Sequence, residues 1–157
     1  MERLRKYQVT LTEPSLDITY NYLVKAQNCC RAATLLHKAK LYENAISQSY
    51  YGMYCSTIGL LRACGISCES HKLTIILLRE LFSSPSLSLM LQSAKRERIE
   101  KQYFITNAKA VAEESAELIE NSEVFVANIR VIIGDLTPQS IECYREILKS
   151  KYDATSI

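Results

Sequence analysis

The chain has 157 residues, of which 48% are hydrophobic and 23% charged, and its formal net charge is +2. That length supports one domain with a sizeable core, and four Gly and three Pro leave little material for linkers. So small a net charge gives no argument for nucleic acid from bulk electrostatics, and any basic patch must be local.

In chain order, residues 1–15 read as a polar arm ending in Glu13-Pro14-Ser15. Met1-Glu2-Arg3-Leu4-Arg5-Lys6 lacks the apolar region of a secretory signal. Three of the six cysteines, Cys29, Cys30 and Cys55, fall inside predicted helices, so the expectation is reduced thiols in a cytoplasmic protein. A first helix starts near Ser15. Leu16, Tyr20, Leu23, Ala26, Cys30, Ala33 and Leu36 step by three or four and define one face. Lys38 and Lys40 place cations where the helix dipole favours them. A short turn to Tyr42 then predicts an antiparallel hairpin with the next helix.

That second helix is the centre of the chain. Between Glu43 and Arg62 there is no charged residue. Tyr42, Ile46, Tyr50, Met53, Thr57 and Leu60 follow helical spacing, with Tyr54, Ile58 and Leu61 beside them. A helix apolar around most of its circumference is buried on several sides. Asn44, Ser47, Gln48, Ser49 and Ser56 interrupt it, so it is not read as the ~20 predominantly apolar residues of a membrane span. Ala45, Ser49, Gly52, Ser56 and Gly59 would let neighbouring helices approach closely.

Gly65 reads as a left-handed C-cap and Ser70 as the N-cap of a third helix, from His71 to about Phe82. Leu73, Ile76, Leu77 and Leu81 form its inner face. Ser83-Ser84-Pro85-Ser86 breaks it, and Leu87 to Gln92 reads as a short helical turn. The run Lys95-Arg96-Glu97-Arg98-Ile99-Glu100-Lys101-Gln102-Tyr103 reads as a solvated face or connector. Thr106 or Asn107 caps a long helix whose core positions are Ala108, Val111, Ser115, Leu118, Ser122, Phe125, Ile129 and Ile132, widened by Ala112, Ile119, Val126 and Ile133. Gly134 stops it. Thr137-Pro138 opens a last helix, within 137–157, with Ile141, Tyr144, Leu148 and Tyr152 on its apolar side.

Few residues carry recognisable chemistry. There is no Gly-rich phosphate loop, nucleophile elbow, paired-carboxylate motif or zinc-protease motif. Cys64, Cys68 and His71 have ligand-like spacing but no fourth partner nearby, and a structural zinc site takes four. No metal and no cofactor are therefore expected. His71 reads either as a ring packed beside the loop before its helix or as a group facing a groove. Arg96, Arg98 and Lys101 could hold phosphates. Arg98 and Tyr103 also read as structural, with Arg98 paired to a carboxylate and Tyr103 packed under a loop. Tyr50, Tyr51 and Tyr54 read mainly as core with a hydroxyl partner, and Tyr51 as the one placed to stack on a base.

The segment Ser47-Gln48-Ser49-Tyr50-Tyr51-Gly52-Met53-Tyr54, then Leu60-Leu61-Arg62-Ala63-Cys64-Gly65-Ile66, then Ser70-His71-Lys72 resembles HEPN-domain proteins. The resemblance covers roughly residues 16 to 133. It implies an all-α, HEPN-like up-and-down bundle of about five helices, a homodimer, and a nucleotidyltransferase-fold partner in a toxin–antitoxin arrangement. It further implies RNA or nucleotide binding and, in ribonuclease members, metal-independent cleavage by a late Arg and His acting on the scissile phosphate and ribose 2′-hydroxyl. Neither His37 nor His71 stands at that late position. The chain offers Arg98 there, with Tyr103 where the His would be, and a phenol titrating near pH ~10 is a poor base at neutral pH. The residues that the resemblance brings forward are Arg98, Tyr103 and His71 for catalysis, and Tyr51, Lys72, Arg96 and Lys101 for nucleic-acid or nucleotide binding. The alternative is a non-catalytic helical scaffold for protein–protein contact.

Overall fold

The computed structural model describes residues 9–103 and 107–153. The first eight residues of the expected arm, the alternative cap Thr106 and residues 154–157 lie outside the described residues, as do the side chains of Ala108 and Tyr152. The described elements are β1 (Val9–Leu11), α1 (Leu16–Lys38), α2 (Tyr42–Ala63), β2 (Ile66–Cys68), α3 (His71–Leu81), α4 (Pro85–Tyr103), α5 (Ala108–Gly134) and α6 (Pro138–Asp153). The protein is thus mostly helical, and none of its described helices is long and apolar enough to cross a membrane.

The predicted caps form. Ser15 accepts from the Ile18 amide and Ser70 from the Leu73 amide. The Asn107 side-chain Oδ1 accepts from the Lys109 amide. Thr137 and Ser140 cap each other's amides at the start of α6. Gly65 adopts φ +67°, the left-handed conformation that ends α2.

α2 lies in the middle, against α1, α5, α4 and β2. Ile46, Tyr50, Met53, Leu60 and Leu61 are fully buried. Glycine permits the approach of α1. A β-carbon at Gly52 would come within 2.7 Å of the Cys30 sulfur, and one at Gly59 within 3.4 Å of the Thr19 carbonyl oxygen. The Thr19 hydroxyl in turn donates to the Gly59 carbonyl at 3.2 Å. On α5 the expected stripe is buried from Val111 through Ser115, Leu118, Ser122 and Phe125 to Ile129.

Three expectations are corrected. The described helices number six, because Leu87–Gln92 and the charged run belong to one continuous helix, α4. Pro85 opens this helix, at a position where its missing amide hydrogen and fixed φ cost nothing. Leu87, Leu91 and Ala94 bury its inner face, and the Ser88 hydroxyl donates to the Ile75 carbonyl of α3 at 2.9 Å. The inner face continues through Arg98 and the buried Lys101 (8% exposed), which disguises it as a charged connector.

The arm, too, holds a strand. β1 pairs antiparallel with β2, Val9 opposite Cys68 and Leu11 opposite Ile66. Finally, Thr19 replaces Tyr20 on the inner face of α1, leaving Leu16 and Tyr20 78% and 67% exposed. The small Thr19 fits against Gly59 where a tyrosine ring would not.

α6 closes one end of the bundle. Leu148 is buried, and Tyr144 packs on Phe82 with ring centroids 4.8 Å apart. One terminal nitrogen of Arg145 reaches the carbonyls of Thr12, Cys64 and Gly65 at 2.8–3.2 Å, joining α6, the β1 segment and the end of α2.

Candidate functional site

A polar and aromatic cluster forms where α2, α3 and α4 meet. Residues 50 and 54 are one helical turn apart, so Tyr50 and Tyr54 project from the same side of α2. Their rings stack, with centroids 6.1 Å apart. His71 opens α3 and lies flat on Tyr54, with centroids 4.0 Å apart and planes within 5°. The Tyr50 hydroxyl and His71 Nδ1 are in hydrogen-bond contact. From α4, the Arg98 guanidinium sits 5.1 Å from the Tyr50 ring centre and 5.5 Å from that of Tyr51, in cation–π range. It donates to the Tyr51 hydroxyl at 2.9 Å.

The electrostatics of this cluster favour neutral rings beside the cations Lys95 and Arg98. Burial, then the charges of Lys95 and Arg98, hold the His71 pKa below its ordinary value. Burial pushes the Tyr50 phenol well up, outweighing the nearby Arg98 charge. Tyr50 therefore keeps its proton. Its hydroxyl has no other hydrogen-bond partner among the described residues, so it donates to Nδ1. That bond leaves the His71 proton on Nε2. A neutral imidazole protonated at Nε2 offers a ligand a donor, not a base.

His71 and Tyr51 also line a cleft of about 550 Å³. Tyr22, Lys25 and Cys29 of α1 form one wall, Gln48, Tyr54 and Cys55 of α2 another, and Cys68 and Glu69 the edge beside α3. Arg98 stands behind Tyr51 rather than in the wall. Because Tyr51 accepts from Arg98, its own hydroxyl proton can turn towards the cleft. Arg98 Nε is buried without a partner, and Arg98 forms no ion pair among the described residues, contrary to its structural reading.

The structure distributes the predicted site residues unevenly. It unites Arg98, Tyr51 and His71, with Tyr50 and Tyr54 between them. Lys72 and Arg96 lie together on a second groove, between α3 and α4, of about 920 Å³, with Arg79 and Lys95. Arg96 is also 3.9 Å from Glu100. Lys101 points inward and forms an ion pair with Glu114 at 2.6 Å, so it is committed to holding α4 on α5. Tyr103 is the last residue of α4 and 71% exposed. Cys64 and Cys68 do not converge with His71. The Cys64 thiol lies near Arg145, and the Cys68 sulfur exchanges hydrogen bonds with Thr74 and the Ser70 carbonyl. The second histidine, His37, is tied by Nδ1 to Ser115 at 3.0 Å and leans on Tyr42.

Sequence reasoning missed Lys25, Cys29 and Gln48 as cleft residues and Lys95 as a charge on His71. Gln48 carried a signal, being a polar side chain in a helix that is otherwise buried. Lys25 and Cys29 carried none, since they lie beside rather than on the inner face of α1.

A comparison with protein-family models found no match, and neither did a comparison with curated proteins.

Proposed function

We propose that this protein is an HEPN-like RNA- or nucleotide-binding protein, working as a homodimer with a nucleotidyltransferase-fold partner. The observation that carries the binding reading is the cleft in which Tyr51, Tyr54 and His71 meet Lys25 and Gln48. Tyrosine faces stack on bases whatever the sequence. Gln48 and the His71 Nε2–H suit a base edge or a sugar hydroxyl, and Lys25 suits a phosphate. The α3–α4 groove with Lys72, Arg79, Lys95 and Arg96 adds local positive charge for the backbone of a longer strand.

Of the activities that the resemblance implies, the geometry supports binding over cleavage. General-base catalysis needs an unprotonated nitrogen facing the substrate. Here Nδ1 is occupied by Tyr50, Nε2 carries the proton, and Tyr103 is a phenol at the exposed end of α4. The scaffold reading has support of its own in Leu16, Tyr20 and Val24, an exposed apolar stripe at successive helical turns of α1. That stripe is the face we assign to the second subunit.

The test is titration of a fluorescent single-stranded RNA and of a fluorescent adenine nucleotide, with total RNA incubated in excess EDTA alongside. Saturable binding of at least one probe is expected, weakened roughly 10-fold or more in Arg98→Ala and Tyr51→Ala, the loss of one base stack being worth about 1–3 kcal/mol. Uncleaved RNA is expected in every sample. Sedimentation of the same samples reads the dimer. A folded protein that binds neither probe would end this reading in favour of the scaffold, and cleavage lost in Arg98→Ala or His71→Ala would restore the ribonuclease.

A further inference from the structure

Another groove lies on a different side of α1 from the Tyr51 cleft and shares no residue with it. It runs between α1 and α5 and encloses about 520 Å³, a volume ordinary for a small-molecule site. Gln27, Arg31 and Leu35 stand one helical turn apart along its α1 edge, and Glu123, Ala127 and Arg130 along its α5 edge. Cys30 and Val126 are buried between the two edges and form the floor. Burial pushes the Cys30 thiol up, so the floor carries no charge.

Apart from Glu123, the polar groups here have donors to offer and few acceptors. Arg130 reaches across from α5, and one terminal nitrogen donates to the Gln27 Oε1 at 3.3 Å. That bond occupies the Gln27 acceptor and leaves its amide hydrogens for a ligand. The Thr34 hydroxyl, also in the lining, spends its proton on the Cys30 carbonyl at 3.2 Å. Arg31 and Arg130 are exposed, and neither forms an ion pair among the described residues. Each guanidinium is a planar fork of donors that matches a carboxylate. Glu123 is the one anion in the lining, so the two arginines keep a single uncompensated positive charge. One carboxylate balances it. A doubly charged phosphate monoester would overshoot it and be repelled by Glu123.

We propose that the groove between α1 and α5 is a binding site for a monocarboxylic acid with an apolar body. The carboxylate is held by Arg31 and Arg130, with the Gln27 amide as a further donor, and the hydrocarbon lies along Cys30, Leu35, Val126 and Ala127. Leu35 is 67% exposed, and covering it takes apolar surface out of water. The bound acid bridges α1 to α5. The site is independent of the nucleotide reading, since nothing that lines the Tyr51 cleft contributes to it.

The experiment is calorimetric titration of the full-length protein at neutral pH with octanoate, acetate, octyl phosphate and octylamine. Saturable binding of octanoate is expected, with acetate and octyl phosphate each weaker and octylamine absent. Arg130→Ala and Arg31→Ala should each weaken octanoate roughly 10-fold or more, as loss of a charge-assisted bond implies. Arg31→Lys should not restore it, because an ammonium lacks the paired donors. Tyr51→Ala should leave it unchanged. Circular dichroism checks that each variant is folded, and two separate arginines keep the test open if one variant is not. A folded parent that does not bind octanoate would overturn the proposal. So would affinity that survives both alanine variants, acetate or octyl phosphate binding as tightly as octanoate, or octanoate binding lost in Tyr51→Ala, which would place the acid in the other cleft.

Discussion

The two sides of α2 are built from opposite materials. Towards α1 and α5 it presents Ala45, Ser49, Gly52, Ser56 and Gly59, and the neighbouring helices come close enough for a threonine hydroxyl to reach a backbone carbonyl. Towards α3 and α4 it presents Tyr50, Tyr51 and Tyr54, and rings take the place of backbone contact. On the small side a β-carbon added at Gly52 would already clash with α1, so this side serves stability. On the aromatic side, large flat groups cannot fill every gap, and their polar ends need partners, so the helix gains a cleft, a histidine and a partly buried guanidinium. A single helix thus separates support from chemistry by residue size.

Substitutions on the two sides should differ in kind. The largest effect is expected from Gly52→Leu. The β-carbon alone would meet Cys30 at 2.7 Å, and overpacking of this sort costs about 1–3 kcal/mol, occasionally more. Chemical denaturation should show that loss. A Gly52→Leu protein as stable as the parent would mean that α1 yields easily and that the contrast between the two sides is overstated.

Tyr50→Phe should cost less, about 1 kcal/mol, because it leaves the packing intact and removes one hydrogen bond. It should also free Nδ1 and release the tautomer of His71, which nitrogen chemical shifts of the imidazole would report. Unchanged shifts would show that Tyr50 does not set the ring.

The smallest effect concerns pH. His71 has a folded pKa below its ordinary 6.5, so between these values the unfolded chain holds a proton that the folded chain lacks. Stability is then fully present above pH 6.5 and falls as pH drops towards the folded value. Denaturation midpoints measured across that window should slope in the parent and slope less in His71→Gln. Parallel profiles would remove the burial of His71 as a contributor.

How much was legible follows the same division. The small side announced itself: a charge-free run with small residues at close spacing reads directly as a packed helix, and Ser15, Gly65 and Ser70 marked helix boundaries through backbone chemistry alone. The aromatic side was only half legible. Tyr50 lies on the core stripe and Arg98 in a charged run, and nothing in either segment says that they meet. Along α4 the inner positions pass from Leu87, Leu91 and Ala94 to Arg98 and Lys101, so a periodicity judged by hydrophobicity fades where the site begins. The strand β1 was hidden for a different reason. Three residues carry no usable period, and Val9 joins the core from a strand that pairs with β2 far along the chain.

The Arg145 clamp bears on the order in which this chain can fold. Its bond to Thr12 spans 133 positions, against 40 for the contact of Thr19 with Gly59. Closing the longer loop costs more chain entropy before any contact compensates it. The α1–α2 hairpin can therefore form early from near neighbours, whereas β1 and α6 must wait until the bundle has brought Gly65 to them. The same reasoning runs in reverse. The guanidinium can let go of its three carbonyls while the helices around α2 stay packed, which makes this end of the molecule a cooperative unit able to open below the threshold of global unfolding.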